Sequence, residues 1–143
     1  MPNNKLLVVR AKINDQKLIY RDIVVNPGAS LYKLAEYVIG AFGFDFDHCF
    51  GFFRSPDIFG GGKDTTHYEL FYDIGEEVEE NTRSVENTPV SELFSAKKDK
   101  WWMLFDYGDD WVFELECMAV DTTQIKPGTV IKIAGEAPSQ YGY

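Results

Sequence analysis

The chain opens on a segment that alternates. From Lys5 to Ile13, Leu7, Val9, Ala11 and Ile13 fall on one side and Arg10 and Lys12 on the other, a period of two that predicts a half-buried β-strand. Asn14-Asp15-Gln16 supplies a turn and Lys17 to Val25 a second β-rich run, so these two strands are expected as a hairpin. Asn26-Pro27-Gly28 breaks the pattern, and the period then lengthens. Leu31, Leu34, Ala35, Val38, Ile39 and Phe42 recur at the spacing of one helical face, with Ser30 placed to cap the start and Gly43 to make a left-handed exit. A third strand is expected over His48 to Arg54, a loop over Ser55 to Thr66, and a fourth strand over His67 to Tyr72. Asp73, Glu76, Glu77, Glu79 and Glu80 form a charge run that reads as solvated surface. Pro89 to Ala96 predicts a short helix capped by Thr88, with Val90, Leu93 and Phe94 facing inward. Trp101 to Tyr107 and Trp111 to Val120 read as strands joined by Gly108-Asp109-Asp110, and a last strand over Thr129 to Ala134 follows Lys126-Pro127-Gly128.

No internal repeat and no linker interrupts this series, so it reads as one domain over residues 1–143. The expected class is α+β: a mixed, mostly antiparallel, roll-like sheet with a ββα start and one main helix packed on one face.

Composition removes several functional classes. With 45% hydrophobic and 15% aromatic residues the chain is too rich in core-formers to be disordered. No apolar run approaches the length of a membrane helix, and Leu6 to Val9 is too short for a signal-peptide core. Cys49 and Cys117 are too few for a disulfide framework and read as buried, reduced thiols, in keeping with a cytoplasmic address. The net charge of −9 disfavours direct binding of nucleic acid, because the one local basic cluster is Lys97, Lys98 and Lys100. A protein partner is expected instead.

Three blocks carry a family resemblance. The first is Ile19-Tyr20-Arg21 followed by Leu31, Leu34, Ile39 and Ala41-Phe42-Gly43-Phe44. The second is His48-Cys49-Phe50-Gly51-Phe52, and the third is Asp106-Tyr107-Gly108-Asp109-Asp110-Trp111. Together with Gly135 and Pro138 they make the chain similar, over nearly its whole length, to the plasmid pRiA4b ORF-3-like family. The resemblance implies an α/β-roll-like fold and an accessory role beside mobile elements, since some members carry labels as passenger proteins or resolvases of insertion elements. A serine resolvase needs a nucleophilic Ser among arginines and a basic DNA-binding helix, and this sequence has neither, so that label is not carried over. Two positions depart from the family pattern. Phe113 stands where a His is common, and Pro138-Ser139-Gln140-Tyr141 replaces a terminal Pro-Pro-Glu-Asp.

The candidate chemistry gathers at the third block. Asp106, Asp109 and Asp110 crowd one turn, and His48 is within conceivable reach, a combination suited to a hard metal or a general base. The bland alternative has Gly108 at positive φ, the Asp side chains capping turn amides, and Trp111 in the core. Arg21, on a strand among apolar residues, is expected to pair with Asp106 or Asp109. Gly60-Gly61-Gly62-Lys63-Asp64-Thr65 fails the phosphate-loop pattern at Asp57 and Asp64. Trp101 and Trp102 point to opposite faces of one strand, one toward the core and one available to a partner. No Ser-His-Asp, Cys-His or spaced metal-ligand motif appears, so no catalytic residue, metal ligand or cofactor is assigned. The favoured reading is a non-catalytic binding domain. The alternative is a small metal-assisted hydrolase using Asp106 and Asp109 with His48.

Overall fold

The computed structural model describes residues 5–58, 65–121 and 124–141. Among the described residues, eight strands form one sheet in the order β5-β4-β3-β6-β7-β1-β2-β8, with β1 at Leu6–Ile13, β2 at Gln16–Val25, β3 at Phe50–Phe53, β4 at His67–Glu69, β5 at Thr82–Arg83, β6 at Lys100–Phe105, β7 at Trp111–Asp121 and β8 at Val130–Ala134. Every neighbouring pair is antiparallel except β4 and β5. This is the expected α+β sheet.

Helix α1, Leu31–Ala41, covers one face. Ser30 caps it by accepting from the Lys33 amide, and Leu31, Leu34, Ala35, Val38 and Ile39 are all buried. The exit is a Schellman motif: the Gly43 amide donates to the Gly40 carbonyl, the Phe44 amide donates to the Ile39 carbonyl, and Gly43 has φ 74°. Beneath the helix lie the inward residues of the alternating strands, among them Val9, Ala11, Phe50, Phe52, Met103, Phe105, Phe113 and Cys117. Phe113, at the family's His position, is therefore core. Cys117 is buried as expected, while Cys49 is only half-buried, and both are free thiols.

The other sheet face is divided in two. At the β3–β6 end a small apolar cluster of Phe53, Ile58 and Leu104 is joined by Tyr107 and Val112. Across β7, β1 and β2 it is a charge ladder, with Arg10, Lys12, Asp22, Glu114 and Glu116 side by side.

Four local expectations need correction. The fourth strand ends at Glu69, and Leu70–Asp73 is one helical turn, α2, rather than strand. Asp73 explains the break: its carboxylate accepts from the Val85 amide and from the Ser84 hydroxyl, so it belongs to a folded turn instead of a solvated run. The helix expected over Pro89 to Ala96 is a single 3-10 turn, Val90–Glu92, although Val90, Leu93 and Phe94 are buried as read. Its continuation is lost because the Ser95 and Ala96 amides both donate to the Asp99 carboxylate. Thr88 is no cap; its hydroxyl donates to the Ser84 carbonyl. The short β5 had no period-two signature, being two residues long. The glycine triplet at 60–62 lies outside the described residues.

Candidate functional site

The signature turn joins β6 to β7 and is organised by Asp106. Its amide donates to the Cys49 carbonyl at 2.9 Å, and its Oδ1 accepts from the Gly108 and Asp109 amides at 3.1 and 3.2 Å. The Asp110 amide closes the turn on the Asp106 carbonyl at 2.6 Å. Asp106 is buried, whereas Asp109 and Asp110 are exposed. The expectation of a left-handed Gly108 is overturned: the left-handed residues are Asp106, φ 65°, and Asp110, φ 54°. Aspartate tolerates this region because its short carboxylate can bond nearby amides, as Asp106 does here.

A prediction follows from that exchange of roles. Asp106→Ala should cost about 1–3 kcal/mol, by losing two amide hydrogen bonds while keeping an L-residue at positive φ. Gly108→Ala should melt within about 2 °C of the parent, since its nearest obstacle is an Asp106 oxygen at the 3.4 Å of ordinary contact. Thermal denaturation followed by circular dichroism separates the two, and a severe loss in Gly108→Ala would contradict the assignment.

His48 does approach the turn, with Nε2 3.4 Å from Asp106 Oδ2 and Nδ1 2.7 Å from Asp47 Oδ1. It is exposed and precedes the strand, which begins at Phe50. The C-terminal segment folds onto this spot. The Gln140 side chain bonds both the amide and the carbonyl of Asp45, and the Tyr141 hydroxyl donates to Asp47. That hydrogen bond, with the one from His48, holds the Asp47 carboxyl below its usual range, and Tyr141 is pushed up to about 12. The residues that replace the family's terminal acids thus act as a strap.

Arg21 does not join the cluster. Its guanidinium donates to the carbonyls of Ala41, Tyr20, Ala134 and Gly135 at 2.9–3.2 Å and lies 4.9 Å from the Phe42 ring. No ion pair to Asp106 or Asp109 forms among the described residues. Arg21 instead ties the Ala41 carbonyl, at the C-terminal end of α1, to β2 and β8, and burial lowers its pKa. Trp111 is half-buried against Phe44, with ring centroids 4.8 Å apart, and its indole N–H has no partner among the described residues.

A second polar constellation carries no motif in the sequence. On the far side of the same turn the Tyr107 hydroxyl donates to Glu69 Oε1 at 2.7 Å, and Glu69 Oε2 lies 3.3 Å from His67 Nε2. Thr82 Oγ1 is 3.0 Å from that nitrogen, and the other ring nitrogen donates to the Thr65 carbonyl. His67, Glu69 and Thr82 are buried, and Phe53 stacks on the imidazole. Burial and the Glu69 charge push the Tyr107 phenol well above its usual value. The available signal was the period of two within β4: His67 and Glu69 share the face opposite Tyr68. Beside the network opens a cleft of ≈ 470 Å³ lined by Glu69, Phe71, Glu76, Glu77, Val78 and Glu79, whose sign disfavours a phosphate-bearing substrate. No group of three or more His, Cys, Asp or Glu among the described residues is arranged to hold a metal ion.

Comparison with known proteins gives a fold and a family. No curated protein matches the sequence. Among solved structures, the crystal structure of the protein of unknown function MM3350 from Methanosarcina mazei Go1 is similar at TM-score 0.69 and 15% identity, covering 95% of this chain and 72% of that one. At that identity the likeness speaks for the fold alone. The sequence profile of plasmid pRiA4b ORF-3-like proteins matches residues 5–140, nearly the whole chain, and the protein belongs to that family.

Proposed function

We propose that this protein is a non-catalytic binding domain that works through a protein partner in the cytoplasm. The observation that supports it is the use of Asp106. A carboxylate whose Oδ1 takes two turn amides and whose Oδ2 faces His48 is spent on holding the β6–β7 connection, with little left for a substrate. No helix among the described residues is long and apolar enough to cross a membrane. The net charge of −9 disfavours a nucleic-acid partner. An accessory role beside mobile elements is compatible with such a domain.

The experiment has two arms. Tagged full-length protein is drawn from native lysate and scored for protein and nucleic acid, with a discrete, near-stoichiometric protein partner expected. Parent, Asp106→Ala and Asp109→Ala are melted with chelator and with Mg²⁺, Mn²⁺ or Zn²⁺, and no ion-dependent shift is expected. Stabilisation of the parent by one ion at low micromolar concentration, lost in both variants, would replace this reading with the metal-assisted hydrolase.

A further inference from the structure

The charge ladder on the outer sheet face has an uneven balance. Arg10 is matched by Asp22 through two hydrogen bonds of 2.7 and 3.0 Å. Glu114, in contrast, is met by three lysines: Lys17 at 2.9 Å, Lys12 at 3.5 Å and Lys100 at 3.9 Å. Lys12 also reaches Glu116 at 3.7 Å. Glu114 is buried, and although burial by itself would raise its pKa, the Lys17 hydrogen bond and the three positive charges hold it below the usual carboxylate value. One fixed anion therefore gathers three ammonium groups drawn from β1, β2 and β6.

Lys17 and Lys100 remain about half exposed, at 52% and 43% of their side chains. Lys132 on β8 extends the row, above the Tyr20 ring that Arg10 covers from closer by. Five cations face three carboxylates here, a surplus of +2 on a chain of −9, which leaves −11 elsewhere. Trp102 stands directly across from Glu114 in the β6–β7 register, its indole N–H fixed by Asn14 at 3.1 Å, and offers an aromatic surface beside the lysines. It is the outward member of the tryptophan pair; Trp101 is buried against Tyr68.

We infer that this face, built on Lys12, Lys17, Lys100 and Trp102, docks an acidic segment of the protein partner, one that carries apolar residues between its carboxylates. The inference rests on the binding reading above and gives it a surface. Complementarity of sign selects the partner: carboxylates find ammonium groups already gathered by Glu114, so little side-chain entropy is lost on contact. The same arithmetic turns away a polynucleotide, whose charge would run past a small positive face onto a surface of −11.

The test uses the full chain and a short synthetic peptide of alternating glutamate and phenylalanine. Amide resonances of Lys12, Lys17, Lys100 and Trp102 are expected to move on titration at low salt, with affinity weakening as salt rises. Lys17→Ala/Lys100→Ala, which leaves Lys12 to partner Glu114, should weaken binding by about tenfold or more, whereas Lys33→Ala on the helix face should leave it unchanged. Near-parental melting of the double variant shows that the loss is one of recognition; if it melts early, Trp102→Ala serves in its place. Absence of shifts with the peptide, equal affinity in parent and double variant, or tighter binding of single-stranded oligothymidine of matched charge would each overturn the inference. A lysate partner retained equally by parent and double variant would remove this face while leaving the binding reading in place.

Discussion

Leu34→Asp is expected to leave the chain unfolded or melting at least 10 °C below the parent. Leu34 has no exposed surface and sits in the middle of the α1 stripe that packs on the sheet. Removing the leucine costs about 2–5 kcal/mol, and burying a carboxylate among Leu31, Val38 and the sheet side chains without a partner adds several more. A domain of this size has only about 5–15 kcal/mol to lose. Circular dichroism with thermal melting decides it. A variant that melts like the parent would mean that the helix does not pack as described.

Gly51→Val should be nearly as damaging, for a reason of space. A Cβ at Gly51 would lie 2.8 Å from a Phe53 ring carbon, 2.9 Å from Glu69 Cγ and 2.9 Å from the Tyr107 hydroxyl. None of the three is a free side-chain end, since Tyr107 and Glu69 bond each other and Phe53 stacks on His67. Accommodating valine must therefore separate Tyr107 from Glu69 and leave a buried carboxyl short of a donor. Overpacking costs about 1–3 kcal/mol and the broken bond about 1–3 kcal/mol more. Chemical denaturation measures the sum, and Gly51→Ala should fall between parent and valine. Parental stability in Gly51→Val would show that the network is looser than its distances imply.

Acid should also find Glu114. Its folded pKa is below its ordinary value of 4.5, so its contribution to stability is present above that value and lost as pH falls through the depressed folded pKa. Melting temperature measured from about pH 7 to about pH 3 should therefore fall on the acid side, and less steeply in Glu114→Gln, which has no proton to take up there. An identical acid slope in both proteins would show that Glu114 is not held by its lysines.

The elements with a sustained period were legible from the chain alone. Leu31 to Phe42 repeats on one helical face for three turns, with Ser30 and Gly43 marking its ends, and β1 alternates without a break. Such segments bury one face whatever they pack on, so local pattern suffices. Asp73 and Asp99 were not legible in this way, because each carboxylate captures amides whose approach depends on the folded chain. Gly108 and Asp106 exchanged roles for a similar reason. Glycine permits positive φ anywhere, but the residue that adopts it is decided by which carboxylate can reach the turn amides. Arg21 stood out by charge among apolar neighbours, yet charge alone could not show that helix and strand carbonyls would receive its guanidinium. The Tyr107–Glu69–His67 chain and the three lysines on Glu114 join residues far apart in sequence. Periodicity built the sheet and its helix. Which polar groups meet on that sheet was decided by strand order and register, which place β4 beside β3 and β7 between β6 and β1.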